Sequence, residues 1–410
     1  MPTKRYPILA DIKHCTGCLG CVDVCPHGAL SRNINEEGHY TYKLDSEKCI
    51  GCLQCERVCP AIGDKSYGDN SLENPVYAAW TTDGELRKRS ASGGVAAALS
   101  IYFVEKGGEV IGAAMDGFEC KHVVVDSLEG LTKLQGSKYM QSDTTGVYRK
   151  MLSSLKDGKM VLFTGTPCQV AAAINYIKDD RLQNNLYTLD MACGGVPSLF
   201  LRDRFKEEFE SDVKGIDSFR NKDKGWRSTN FAYELRAISK DDKIKSYGLH
   251  NLFLGAFGMG LTNRYSCYDC KFAKVNRKSD FTVADFWGDH DFSDQHHEGL
   301  SSLSVHTEKG KRLLENLSTI DKKETEWSKV LLHNYRYAYG KSILGHSLVR
   351  KHLAKSFRNY SYEKLCKLYA AATTKNVFYF ALMAFNIIRG KINRKNGIKY
   401  ILRNILNTSK

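Results

Sequence analysis

Eight cysteines near the N-terminus fall into two matching runs, Cys15-x-x-Cys18-x-x-Cys21-x-x-x-Cys25-Pro26 and Cys49-x-x-Cys52-x-x-Cys55-x-x-x-Cys59-Pro60. Thiolates at this spacing suit two [4Fe-4S] clusters. Three closely spaced sulfurs hold one cluster, and the fourth cysteine, ahead of a proline, ligates the other. Structural zinc sites use well-separated CxxC pairs rather than a three-plus-one run. Disulfides need an oxidising compartment, and Met1 to Asp11 carries no apolar signal-peptide core, so the expected location is the reducing cytoplasm. The predicted chemistry is the movement of single electrons.

Of 14 cysteines, six lie outside these runs: Cys120, Cys168, Cys193, Cys267, Cys270 and Cys366. Cys168 falls in Gly165-Thr166-Pro167-Cys168-Gln169 and Cys193 in Met191-Ala192-Cys193-Gly194-Gly195-Val196-Pro197-Ser198, each after a predicted strand. Turns at the carboxyl ends of parallel strands are where such sheets build their sites. Cys267-Tyr268-Asp269-Cys270 adds a short chelate. Three readings stand side by side: buried small residues, a Cys168 nucleophile whose pKa a helix N-terminus lowers, or a third cluster. Cys120 and Cys366 have no partner pattern and are expected to be inert.

The elements that must position these sulfurs follow from periodicity. Residues 1–70 form an α+β ferredoxin-like dicluster domain whose halves repeat at a 34-residue offset, with a strand at Tyr40–Leu44 and a polar linker at Gly63–Asn74. Beyond it strands and helices alternate. Strands are predicted at Val76–Thr81, Val110–Ala114, Met160–Thr164 and Leu186–Met191, and helices at Val95–Lys106, Val170–Ile177 and Ser198–Phe209. This pattern predicts an α/β body with a largely parallel sheet, in parts 75–155 and 156–330, followed by a helical basic tail, 331–410.

The tail holds all of the excess charge. It has 16 Lys and Arg against one acid, Glu363, a net +15, so a whole-chain charge of +14 leaves residues 1–330 at −1. Ile398, Ile401, Leu402, Ile405 and Leu406 recur at helical spacing beside Lys399 and Arg403. That stripe suits either an interfacial helix on an anionic membrane surface or a helix packing on its own protein or a partner subunit. The longest apolar stretch, Val377–Phe385, is too short to span a bilayer. The basic residues are not interleaved with stacking platforms, so nucleic acid is not an expected partner.

Six segments in order carry a resemblance: Ser90–Val95 (SASGGV), Gly136–Gln141 (GSKYMQ), Gly165–Gln169 (GTPCQ), Cys193–Ser198 (CGGVPS), Arg264–Cys270 (RYSCYDC) and Asp280–Gly288 (DFTVADFWG). Together they resemble the coenzyme F420 hydrogenase/dehydrogenase beta-subunit family over about residues 75–330, with the dicluster ferredoxin as a fusion frequent in that family. The resemblance implies a flavin, FAD or alternatively FMN, beside one further [4Fe-4S] cluster. By that carry-over Cys168, Cys193, Cys267 and Cys270 are the cluster's ligands. The flavin contacts are Ser90, Ser92, Gly93, Gly94, Gly136, Ser137, Lys138, Tyr139, Thr164, Gly165 and Thr166. Ser92-Gly93-Gly94 ahead of a helix would leave backbone N–H groups free for a pyrophosphate. Gly136–Tyr139 would offer a close backbone approach, a hydroxyl and a cation. Asp285 and Trp287 are expected to line the substrate pocket.

The resemblance therefore implies an iron–sulfur flavoprotein oxidoreductase between a redox carrier or partner oxidoreductase and a small organic substrate. Its relatives include bacterial proteins beside polysaccharide genes. The alternatives are an electron-delivery subunit serving a separate catalytic protein, or a coenzyme F420 reductase or dehydrogenase. Gly194 and Ala284 differ from the family pattern, which commonly has histidine and glycine there.

Overall fold

In the computed structural model, each cysteine run turns through a tight loop into a short helix. The structure describes residues 5–63, 66–223, 225–226, 234–247, 252–258, 260–288, 290–295, 297–342, 348–369, 388 and 391–406. Gly17 and Leu19 in the first loop, and Gly51 and Leu53 in the second, take positive φ between 56° and 74°. The helices Gly20–Val24 and Gln54–Val58 follow, and each stops at the last cysteine of its run. Proline excludes the helical region from the residue before it. Cys25 (φ −71°, ψ 110°) and Cys59 (φ −60°, ψ 116°) are accordingly extended, which carries the fourth sulfur away from the other three. The strand Tyr40–Leu44 forms as predicted, antiparallel to Leu30–Ile34.

The ferredoxin module is keyed into the body by a buried carboxylate. Helix Val147–Lys156 starts from Gly146, which has no side chain to cap it. Asp23 of the module supplies that group, accepting from Gly146 N at 2.6 Å and Tyr148 N at 3.0 Å. Burial raises the Asp23 carboxyl pKa, against the pull of those two amides and Arg149. Replacing Asp23 with alanine is expected to destabilise the holoprotein by about 1–2 kcal/mol, the usual cost of a lost N-cap. Asn, which caps as well and carries no charge to bury, should restore most of it. Thermal unfolding of the three proteins side by side checks this.

Of the segment Gly63–Asn74, predicted as a linker, residues 66–74 are held instead. Tyr67 is buried, and Gly68–Asp69 pairs antiparallel with Asn276–Arg277. Gly68 lies so close to the partner strand that a Cβ would run into Asn276 O. An aromatic anchor and a glycine thus convert a polar stretch into a strand.

The body is built on an eight-stranded sheet in the order Ile320–Glu324, Val76–Thr81, Ser301–Val305, Phe281–Asp285, Leu186–Met191, Val161–Thr164, Glu109–Asp116, Glu119–Val125. It is mixed. The four strands from Phe281–Asp285 to Glu109–Asp116 run parallel. The flanking pairs are antiparallel. The parallel middle is the part buried on both faces, which is why Val161, Leu162 and Phe163 form an unbroken apolar run. Strands from both predicted body parts share this one sheet. A further three-stranded sheet, Val213–Ser218, Leu235–Ser239 and Ile244–Tyr247, was not predicted.

In the tail, helices Leu348–Asn359 and Tyr362–Tyr369 bury Leu353, Phe357, Leu365 and Leu368 against Phe205 and Phe253. The apolar stripe packs on the body in part: Ile401 and Ile405 join Trp327 and Tyr337 in one core, Ile398 and Leu406 are half-buried, and Leu402 is exposed. Gly397 approaches so closely that a Cβ there would meet the Tyr335 ring. Val377–Phe385 lies outside the described residues. Among the described residues, no helix is long and apolar enough to cross a membrane.

Candidate metal centre

Two cavities separate the eight ferredoxin thiols into two crossed sets. One is lined by Cys15, Cys18 and Cys21 of the first run together with Cys59 of the second. The other is lined by Cys49, Cys52 and Cys55 together with Cys25. Three sulfurs from one loop and the fourth from the other is the arrangement that the extended residue before each proline imposes. Burial pushes Cys55 up to about 11 and raises Cys21 and Cys59, with neighbouring thiols adding to the rise. Such crowded sulfurs become thiolates together only around compensating positive charge, which iron supplies. Cys52 is exposed, so the second cavity is the outer one.

The inner set faces the body. Cys18 packs in the same hydrophobic cluster that Cys168 and Cys270 flank. Burial raises Cys18 first, then the charges of Cys59 and Cys168. Tyr148 seals this contact, its hydroxyl donating to Cys18 O at 2.9 Å.

The four body thiols come together as the spacing allowed. Cys168 is the second residue of helix Pro167–Tyr176, whose start is fixed by a capping box of Thr166 and Gln169 with Pro167 in the first turn. Cys193 follows the strand Leu186–Met191. The Cys193 and Cys267 segments are zipped together by Ser198 N donating to Thr262 O at 2.8 Å and Arg264 N to Val196 O at 2.9 Å. Cys270 is held by its N–H to Gly340 O at 3.1 Å. Burial pushes Cys168, Cys193 and Cys267 up to about 12, with further rises from one another and Cys270. Against the nucleophile reading stands the burial of Cys168. The helix N-terminus at Cys168 does not overcome burial, and a thiol so raised is a poor free nucleophile. Among the described residues, no three His, Cys, Asp or Glu side chains close around the point of a single metal ion. A four-iron cage needs no such point, since each sulfur binds a different iron.

The residues that the resemblance names as flavin contacts make the following bonds within the chain. Gly93 N–H donates to Ser301 Oγ at 3.0 Å, so it is engaged, and its missing Cβ makes room for Ala79 O. Ser90 and Ser92 donate to Leu86 O and Leu300 O, each at 2.7 Å. Thr164 Oγ1 donates to Ile111 O at 3.0 Å, Thr166 Oγ1 bonds Gln169, and Gly165 N donates to Leu189 O at 3.1 Å. Lys138 Nζ turns inward to the carbonyls of Lys133, Gln135 and Gly136, and burial pushes it down to about 8. Tyr139 stacks on Phe257 at 4.4 Å, whereas Gly136 (φ +78°) and Gly94 (φ +80°) take the left-handed turns that glycine permits.

Charge gathers where sequence reasoning missed it. Lys222 Nζ donates to Ser92 O at 2.9 Å and to Arg87 O at 2.5 Å. Burial pushes Lys222 down to about 7, helped by Arg87 and Arg220. Arg220 donates to Asp285 Oδ2 and to Tyr139 Oη at 2.9 and 3.2 Å. Two carboxylates answer these three cations, Glu298 at 3.4 Å from Arg87 and Asp285 beside Arg220, and both oppose the fall at Lys222. No short motif marks them, because they come from separate segments. Nearby Trp226 and Trp287 stack at 4.5 Å, and Trp226 Nε1 is buried with no hydrogen-bond partner.

Comparison with known proteins agrees with the two-part layout. Residues 14–62 match a 4Fe-4S dicluster domain. Residues 76–148 and 158–329 match the N-terminal and C-terminal parts of coenzyme F420 hydrogenase/dehydrogenase beta subunits, together more than half of the chain. No curated protein matches. Among solved structures, the chain is similar to one in the F420-reducing [NiFe] hydrogenase complex from Methanosarcina barkeri, at 18% identity and a TM-score of 0.45, covering 74% of this chain and 94% of that one. A dicluster domain joined to both halves of one family places the chain in the coenzyme F420 hydrogenase/dehydrogenase beta-subunit family, an iron–sulfur family of oxidoreductase type.

Proposed function

We propose that this chain is an iron–sulfur flavoprotein oxidoreductase that relays electrons between a one-electron carrier and a small organic substrate. The observation that carries the reading is the chain of three thiol sets. Cys25, Cys49, Cys52 and Cys55 line the outer cavity. Cys15, Cys18, Cys21 and Cys59 line the inner one, and its Cys18 packs in the core that the body thiols flank. Each set would hold one [4Fe-4S] cluster, the third through Cys168, Cys193, Cys267 and Cys270. Electrons would enter or leave at the outer cluster, where Cys52 is exposed.

In this reading the body would hold a flavin by charge as well as through the serines and glycines that the resemblance names. Arg87, Lys222 and Arg220 would neutralise its phosphate-bearing part beside Gly94, where helix Val95–Glu105 begins with no acid in its first turn. A flavin supplies the exchange between a two-electron substrate and a one-electron relay. The protein's own part would be to bind it, to hold the four body thiols together, and to fix Asp285 through its ion pair with Arg220. The 75–155 and 156–330 parts of the body would act as one site-bearing unit.

Anaerobic purification with iron, sulfide and flavin quantified per chain tests this reading. About twelve irons and one flavin are expected for three four-iron clusters. About eight irons would remove the body cluster, and absence of flavin would remove substrate chemistry from this chain. The family's description as a beta subunit favours a second reading, an electron-delivery subunit. A fully loaded chain that turns over only when a partner oxidoreductase is added would select it.

A further inference from the structure

Arg264 lies between the inner ferredoxin thiols and the body thiols, and it is 2% exposed. Its Nη2 donates to Tyr40 O at 2.8 Å and Gln141 Oε1 at 2.6 Å, and its Nη1 to Cys15 O at 3.3 Å. None of these acceptors is a carboxylate, and Nε is buried with no hydrogen-bond partner. On the ferredoxin side, the guanidinium approaches Gly17 so closely that a Cβ there would run into it, as well as lying 2.5 Å from Tyr40 O. On the body side, its charge opposes the rise that burial imposes on Cys168 and Cys267. Arg264 O also accepts from Cys267 N at 3.0 Å.

A buried cation needs an anion near it. Four thiolates around a four-iron cage leave it net negative, and here two such cages would flank one guanidinium. We propose that Arg264 is the shared counter-ion of the inner ferredoxin cluster and the body cluster. It stabilises their reduced, more negative states and so raises both reduction potentials, net charge being one of the determinants of cluster potential. Arg264's bonds to Cys15, Tyr40 and Gln141 touch none of the outer set Cys25, Cys49, Cys52 and Cys55, so the outer cluster serves as the internal control. The effect makes the inner junction the favoured resting place for an electron. The inference rests on the three-cluster reading, whose own failure shows separately as fewer than about twelve irons in the unsubstituted chain.

The test is an EPR-monitored redox titration of the full, loaded chain and three variants. Arg264→Met removes the charge and keeps the bulk. Gln141→Glu keeps the arginine and sets a carboxylate against it, while Arg264→Lys keeps a charge without the planar fork. Arg264→Met and Gln141→Glu are expected to disfavour reduction of the inner and body clusters at least tenfold, a fall of about 59 mV for one electron, with the outer cluster unmoved. Arg264→Lys should retain most of the wild-type value. Equal shifts in all three clusters, no shift in either inner cluster, or a lysine variant no better than methionine would overturn the proposal. Should Arg264→Met and Gln141→Glu fail to assemble these clusters while Arg264→Lys assembles them, the charge is needed for the clusters themselves, which supports it. Failure of Arg264→Lys as well would assign the residue a purely geometric role and overturn it.

Discussion

Replacing Cys25 with alanine is expected to empty the cage around Cys49, Cys52 and Cys55 and to spare the one around Cys15, Cys18 and Cys21. Iron should fall from about twelve to about eight per chain, the loss of one four-iron cluster. The crossing makes a sharper prediction for double variants. Cys25 and Cys52 line the same cavity, so Cys25→Ala with Cys52→Ala should lose no more iron than either single change. Cys18 lines the other cavity, so Cys25→Ala with Cys18→Ala should lose about eight irons. Uncrossed ligation reverses both results. Cys59→Ala has the largest functional effect, because it removes the cluster between the exposed cage and the body. Reduction of the body by a one-electron donor should then fall to background while the outer cluster still reduces, a split that stopped-flow absorbance resolves.

The largest effect on stability is expected at Asp190, which is fully buried on the strand leading to Cys193. Its Oδ1 accepts from Arg277 Nη1 at 2.8 Å and Thr282 Oγ1 at 2.6 Å, and its Oδ2 from Tyr67 Oη at 2.5 Å. Arg277 is equally buried and lies over the Tyr337 ring at 4.4 Å. Removing one partner of such a pair strands the other charge, at a cost of about 3–5 kcal/mol. Asp190→Ala should therefore lower the thermal unfolding temperature well beyond the Asp23 variant and reduce iron retained by the body set. Adding Arg277→Met to Asp190→Ala should recover part of the loss, since the stranded charge is then gone. Strict additivity of the two changes would show that the pair acts independently.

Much of this was legible from local chemistry. The cysteine-proline spacing carried the crossed ligand sets, because proline acts on the residue beside it and needs no tertiary context. The strand Leu186–Met191 and the strand-to-helix turn at Cys168 followed from apolar runs that are equally local, whereas the capping box of Thr166 and Gln169 went unread. The antiparallel flanks of the sheet were not legible, since pairing Val76–Thr81 with Ser301–Val305 depends on contacts more than 200 residues apart. The same distance hid Asp23 as the cap of another module's helix and Arg264 as a bridge between thiol sets.

Sequence alone thus determined which sulfurs belong together within each ferredoxin loop, and that the chain handles single electrons. It also placed Cys168 and Cys193 at strand ends. Only the tertiary structure decided that Cys18 faces the body thiols, that Ile401 and Ile405 of the tail pack inward, and that Arg87 and Arg220 gather around Lys222. Ligand spacing is written along the chain, whereas burial and field depend on what folding brings from elsewhere.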